Sequence, residues 1–398
     1  MRSFPCSDKP MNRRRFLRGV VMGGVGVLAA PMLNLGRCRV FAEDGLPGGG
    51  PLRSIRAVDL IQRATVIDML GLLTLDWPRL ARWQREPGSF GPADFARLRA
   101  SGVDVFHPAV DPNQPDAPAA VRRWLGGWDR LLAACPEYFV RVDSIADAVR
   151  AKASGKLGLI LGFQNSDHFA TVADVAEFHR LGQRVSQLTY NARNRLGSGC
   201  QALDDGLTSF GADVVSAMNR VGMVVDVSHC GERTSLDAIA VSRQPVLITH
   251  SNCRALVGHP RCKSDAVLRA MASRGGVMGV TAVRAFVRQP DPPSLEDLLD
   301  HFDHVARVAG PEHVGLGSDT DVDSRDPRTG NVRPAYSIRG MDPARRTFEV
   351  VDGLLRRGWT TAEVEGVLGG NFRRALATIW PAPVASPTSP VVRQVIAS

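Results

Sequence analysis

The folded part of this 398-residue chain carries almost no excess charge. The formal net charge is +9, yet eight of the 49 Lys and Arg (Arg2, Lys9, Arg13, Arg14, Arg15, Arg18, Arg37, Arg39) and only one of the 40 acids, Asp8, fall in residues 1–42, leaving 41 bases against 39 acids. That balance argues against a nucleic-acid partner. No short sequence repeat is present, and no G-x-G-x-x-G turn follows the first predicted strand, which counts against a dinucleotide-binding open sheet. Cysteines number seven, falling to five without the leader (Cys135, Cys200, Cys230, Cys253, Cys262). An odd number leaves at least one thiol unpaired even in an oxidising compartment, and these read mainly as small buried residues.

The leader also lacks a full membrane span. NRRRFLRG (Asn12–Gly19) precedes the apolar VVMGGVGVLAAPML, a Gly-rich stretch shorter than the ~20 residues that cross a bilayer. This is a charged region followed by a hydrophobic region, and it resembles a twin-arginine export signal, with cleavage expected after Val40-Phe41-Ala42. The alternative is an uncleaved membrane anchor. Cys38, in LGRC, lacks the small preceding residue of a lipoprotein signal. The expected destination is the periplasm, and the expected first partner is the twin-arginine export machinery. Residues 43–55, containing EDGLPGGGP, read as a flexible linker, 56–380 as the folded domain, and 381–398 as a Pro/Ser-rich tail.

Within that domain eight apolar runs alternate with helical stretches: TVIDML (65–70), VDVFHPAV (103–110), LGLILGFQ (157–164), VSQLTY (185–190), GMVVDVSH (222–229), PVLITHS (245–251), GGVMGVTA (275–282) and EHVGLGSD (312–319). Continuous apolar runs imply parallel strands covered on both sides, and eight of them separated by helices predict an α/β fold, a single (β/α)8 TIM-type barrel. DVAEFHRLGQRV, GADVVSAMNRVG and SDAVLRAMASRGG are predicted helices, the last two ending at Gly. Chemistry in such a barrel belongs at the C-terminal ends of the strands.

Those ends offer Asp68, His107, Gln164, Tyr190, His229, His250 and Asp319. Taken singly, a buried strand-end histidine is more often a hydrogen-bonded structural residue than a ligand. Two on neighbouring strands, with an acid on the eighth, form the donor set that a catalytic divalent metal needs. His107 before Pro108 stays open between a replacement ligand or catalytic group and a packed histidine. Cys230 is disfavoured as a co-ligand of His229, because adjacent strand residues face opposite ways. His168, His259 and His313 read as structural or surface residues.

GMVVDVSHCGERT, PVLITHSNCRAL, HPR, HVGLGSDTD, LTYNARN and GGNFRR, in this order apart from LTYNARN, which comes first, resemble the membrane (renal) dipeptidase family of amidohydrolase-type barrels from about Ile61 to Trp380. The resemblance implies a two-zinc site hydrolysing dipeptides, with His229 and His250 binding one metal, Asp319 handling the catalytic proton and Arg261 meeting the substrate carboxylate. On the residues alone, Arg261 in HPRCK would read as a surface group. Relatives of this type commonly form homodimers, so a second copy is an expected partner.

The sequence departs from that pattern on its first strand. The family's Asp-Gly-His-x-Asp motif, matched on Asp68, places Leu70 and Leu72 at the two ligand positions of the other metal. Gln164 replaces the bridging glutamate, and Tyr190 stands where better-known members have a substrate-contacting histidine. Loss of the bridging charge argues against a binuclear centre. The remaining residues predict at most one zinc at His229 and His250, with Gln164 or Asp319 as a weaker third ligand and water in the open position; the alternative is no bound metal.

The leading expectation is an exported dipeptidase-like hydrolase acting on a dipeptide or an N-acyl amino acid. A second is a tailoring reaction on a peptide-derived metabolite, using His107, His229, His250 and Asp319 as acid and base groups. A third is a non-catalytic binding protein, against which the retained histidines and acid speak.

Overall fold

In a computed structural model, residues 54–380 are described, apart from 87 and 113. The expected leader, most of the linker and the tail lie outside the described residues. The described chain opens with helix Ile55–Arg63, whose N-terminus is capped by the Ser54 side chain accepting from Ala57 N–H. This is one residue earlier than the predicted domain start.

All eight predicted runs contain strand, each shorter than the apolar run around it. They are β1 (Ile67–Asp68), β2 (Val105–Phe106), β4 (Leu157–Leu159) with β5 (Gly162–Phe163), β6 (Val185–Gln187), β7 (Val224–Asp226), β8 (Ile248–Ser251), β9 (Met278–Val280) and β10 (Val314–Leu316). Every pairing between them is parallel: β1 lies between β10 and β2, β2 pairs with β4, β5 with β6, β6 with β7, and β8 with β9, which reaches β10. A bridge between Asp226 and Leu247 joins β7 to β8 and closes the barrel. The third run is divided: β4 contacts β2, and β5 turns to β6. A tenth short strand, β3 (Phe139–Arg141), adds to the outside edge of β4 and was not predicted.

Helix boundaries follow capping chemistry. Helix Ser209–Val221 stops at Gly222, which adopts φ 77°, a left-handed conformation that costs glycine little. Helix Asp265–Ser273 begins after Ser264, whose hydroxyl accepts from Val267 N–H. Helix Asp174–Arg180 is shorter than expected, because the chain turns at Gly182 (φ 102°) to start β6. Among the described residues no helix is long and apolar enough to cross a membrane.

The core explains why the site has one open end. Ile67, Val105, Val185, Val224, Leu247 and Val277 pack with Phe372, Leu376 and Ile379 of helix Asn371–Ile379. Those strand residues lie at or near the N-terminal ends, so this helix stoppers the barrel bottom. Asn371 fixes the stopper by donating Nδ2–H bonds to Pro311 O and Val314 O, both 2.8 Å. Gly315 lets it approach, since a Cβ there would lie 2.2 Å from the Phe372 ring. The opposite face is left to the loops.

Candidate active site

At the C-terminal face, β7 and β8 bring His229 and His250 together with their Nε2 atoms 3.0 Å apart. What sits on each Nδ1 decides what those Nε2 atoms can do. His250 Nδ1 lies 2.8 Å from Thr249 Oγ1, and the Thr249 hydroxyl donates to Asp226 Oδ2 at 2.7 Å. Asp226 Oδ1 also accepts from the Ser228 hydroxyl, Ser228 N–H and Thr249 N–H. With its proton committed to Asp226, Thr249 must accept from His250 Nδ1–H. His229 Nδ1 lies 2.7 Å from Asn191 Oδ1 and donates to it. Asn191 takes φ 57°, a left-handed conformation that Asn tolerates better than most residues. Both Nε2 atoms therefore present lone pairs to one another.

Two facing lone pairs repel unless a cation lies between them. Burial lowers the basicity of both imidazoles well below the ordinary histidine range, and the neighbouring Arg261 charge lowers it further. A shared proton is thereby disfavoured, and the neutral, oriented pair suits a divalent metal. Tyr190 stacks on His229, with ring centroids 4.3 Å apart at 23°, and fixes the ring plane. Among the described residues no group of three or more His, Cys, Asp or Glu side chains could hold a metal. The protein's own ligands would be the two imidazoles, with water or an amide oxygen completing the shell.

The first strand contributes no ligand. Leu70 and Leu72 are buried apolar groups. Asp68 is buried with its carboxylate fully engaged: Oδ1 accepts from Ser318 N–H (2.8 Å) and Leu70 N–H (3.3 Å), while Oδ2 accepts from the Ser318 hydroxyl (2.5 Å) and faces Arg346 Nη2 at 3.5 Å. Where a ligand pair would be needed for a second metal, the fold has a buried ion pair joining β1, the loop after β10 and helix Arg346–Arg356.

Gln164 turns its amide away from a free role, donating Nε2–H to Ala109 O at 3.1 Å, and leaves Oε1 as its uncharged donor atom. His107 is fully buried. Its Nδ1–H donates to Met69 O at 2.6 Å, and its Nε2 is buried without a partner among the described residues. Burial lowers its basicity. Gly162 makes room for the ring, since a Cβ there would lie 2.2 Å from His107 Nε2.

Asp319 sits at the mouth in a left-handed conformation (φ 59°), held by its N–H donating to Leu70 O at 2.8 Å. Burial pushes its carboxyl up from 3.8 to about 7, with Arg261 opposing and Asp68 adding to the rise. A carboxyl poised there can both accept and return a proton near neutral pH.

Arg261, read on its own residues as a surface group, is buried instead. Nη1 donates to Ser228 O (2.7 Å) and Ser251 Oγ (3.3 Å), and Nη2 donates to His250 O (2.9 Å). It clamps the ends of β7 and β8, and its guanidinium lies 5.6 Å from the centre of the Phe286 ring. Of the histidines read as structural or surface, His168 and His313 are buried; the His168 ring lies 3.0 Å from Gln183 Oε1, and His313 Nδ1 lies 2.6 Å from Gly276 O. The five described cysteines are all free. Sequence reasoning missed Asn191, Asp226 and Thr249. The available signal was their place within two or three residues of strand-end residues already singled out.

Comparison with known proteins identifies the family and the fold. Residues 55–383 match the membrane dipeptidase family, peptidase family M19. An uncharacterized dipeptidase of Schizosaccharomyces pombe is 30% identical over 319 residues, 74% of each chain. The dipeptidase aclJ of Aspergillus oryzae is 28% identical over 309 residues, 73% of this chain and 70% of that one. The crystal structure of an amidohydrolase from Pseudomonas aeruginosa superposes with a TM-score of 0.70 at 27% identity, covering 81% of this chain and 99% of the other. The barrel, its strand-end histidines and these likenesses together establish that the chain belongs to the membrane dipeptidase family of hydrolases.

Proposed function

We propose that this protein is an exported hydrolase that cleaves the amide bond of a dipeptide or small N-acyl amino acid, using one divalent metal, zinc, held by His229 and His250. The observation that carries the reading is the pair of Nε2 lone pairs facing each other at 3.0 Å with both tautomers fixed from behind. A cation held by these two imidazoles would supply Lewis-acid activation of water and of the scissile carbonyl. The protein's own groups do the rest. Asn191 and the Asp226–Thr249 relay hold the imidazoles in the ligating tautomer, Tyr190 holds the His229 plane, and Arg261 ties the two strand ends at fixed spacing. Asp319 takes the proton of the attacking water and returns it to the leaving amine. His107, enclosed beneath the mouth, is a packing residue that keeps Met69 O satisfied. Export rests on Arg13-Arg14 and the short apolar stretch after them.

The test is hydrolysis of a dipeptide panel by zinc-loaded mature protein, beside His250→Ala and Asp319→Asn. Hydrolysis by the wild type and its loss in both variants is expected. Turnover that survives either change would remove the reading.

A further inference from the structure

His229 owes its orientation to a loop that is itself held from a distance. Asn191 Oδ1 accepts from His229 Nδ1–H, and Asn191 keeps its left-handed turn under residues 198–206, which return to the end of β7. Gln201 N–H donates to Asn191 O and Cys200 N–H donates to His229 O, both at 2.8 Å, while Gly199 bridges Cys230. The approach is close, since a Cβ at Gly199 would lie 2.3 Å from the Asn191 carbonyl. The loop therefore grips both partners of the Asn191–His229 hydrogen bond by their backbones.

One carboxylate holds that loop in place. The loop tip has no apolar anchor, because Leu203 is 84% exposed, so hydrogen bonds decide where it sits. Helix Glu232–Val241 begins just after His229, and its N-cap, Gly231, has no side chain to satisfy the first free N–H groups. Asp204 supplies the cap from the loop: Oδ2 accepts from Arg233 N–H at 2.6 Å, and Oδ1 accepts from Thr234 N–H at 3.3 Å and from the Thr234 hydroxyl at 3.2 Å. Arg233 and Thr234 are the second and third helical residues, the positions a capping side chain serves, and a negative charge there also meets the positive end of the helix dipole. Gly231 makes room, since a Cβ there would lie 2.5 Å from the Asp204 carboxylate. Ser198 closes the base of the loop: Gly231 N–H donates to Ser198 O at 2.9 Å, and Ser198 N–H donates to Thr234 Oγ1 at 3.0 Å.

We propose that Asp204 is a positioning residue for His229: by capping the following helix from a separate loop, it fixes residues 198–206 against Asn191 and His229 and so keeps His229 in the Nδ1–H tautomer, with Nε2 free to bind a metal. This rests on the reading above of His229 as a metal ligand. The chain of bonds is contiguous, from Arg233 and Thr234 through Asp204 and the loop backbone at Gln201 and Cys200 to Asn191 and the imidazole. Asp237 provides an internal contrast. It sits on the same helix and accepts from Leu207 N–H at 3.0 Å, where the loop has already left Asn191 and His229.

Two readouts on the protein spanning residues 43–398 test this, imidazole nitrogen NMR without metal and chelator competition with zinc. In the NMR spectrum wild type should show His229 as a single Nδ1–H tautomer, and Asp204→Ala should show both tautomers in exchange. Asp204→Ala should also bind zinc about tenfold more weakly, the lower end of the range for losing a partner behind a metal-bound histidine. Gly231→Ala, which drives a methyl group into the carboxylate, should reproduce both effects, and Asp204→Asn, which keeps one acceptor oxygen, should fall between. Asp237→Ala should lower the urea midpoint without moving the tautomer or the zinc affinity. A cap that serves the fold alone would lower the urea midpoint of Asp204→Ala and leave the tautomer and zinc affinity of the folded protein at wild-type values; that result overturns the inference, as do effects of equal size in Asp237→Ala. If Asp204→Ala fails to fold, Gly231→Ala and Asp204→Asn decide on the same criteria. A tautomer lost in Asp204→Ala while wild type binds no zinc would defeat the metal reading alone. Zinc bound by wild type, with tautomer and affinity unchanged in Asp204→Ala, would defeat this inference alone.

Discussion

Replacing Asp319 with Asn tests two consequences of one environment. Burial pushes the Asp319 carboxyl from 3.8 to about 7, so the folded protein holds this proton more tightly than the unfolded chain does. Ionisation then costs stability. The cost is absent below about pH 4, grows as pH rises towards 7, and is constant above it. The whole difference corresponds to about 4 kcal/mol at ~1.36 kcal/mol per pH unit. Partial access to water brings the expected cost to about 1–2 kcal/mol. Asn is neutral and nearly the same shape, so the variant escapes the cost. Urea denaturation of metal-free wild type and Asp319→Asn at pH 5 and pH 8 should show the variant more stable, with a larger gain at pH 8. The same variant, loaded with zinc, should lose at least about a hundredfold in kcat/KM, the usual contribution of a general base. Equal stability differences at both pH values, or a variant less stable at pH 8, would refute the electrostatic argument.

Four further substitutions separate ligand orientation from scaffold. Asn191→Ala or Thr249→Val removes a tautomer-fixing partner and should weaken zinc affinity by about 10–100-fold in chelator competition, with circular dichroism unchanged. Asp68→Asn breaks a buried ion pair and should cost about 3–5 kcal/mol of unfolding free energy while leaving zinc stoichiometry as it was, because Asp68 faces Arg346 rather than the histidines. Phe372→Ala should destabilise by about 3–5 kcal/mol through the cavity it leaves under the barrel, with dipeptide KM unaffected.

The barrel was legible because its strands are buried on both faces and so leave continuous apolar runs, a pattern that survives without any partner being known. β3 was not, because a three-residue edge strand in YFVRV has too little length to stand out from a loop. The short helix before β6 was overextended for a related reason: LGQRV continues an amphipathic pattern, and the turn at Gly182 decides otherwise. At the site, His229, His250 and Asp319 were visible at strand ends, and the substitution of Leu70 and Leu72 was visible as missing chemistry. What surrounds them depends on cross-strand register. Asp226 and Thr249 meet only because β7 and β8 align, and Arg261 finds the strand-end carbonyls only once its loop folds back.

The central claim is a single metal between two imidazoles. Elemental analysis of the protein spanning residues 43–398, purified without chelators or a metal-binding tag, measures it directly. The account predicts about one zinc per chain, falling to none in His229→Ala and in His250→Ala. Two metals per chain, or none in folded wild-type protein, would contradict it.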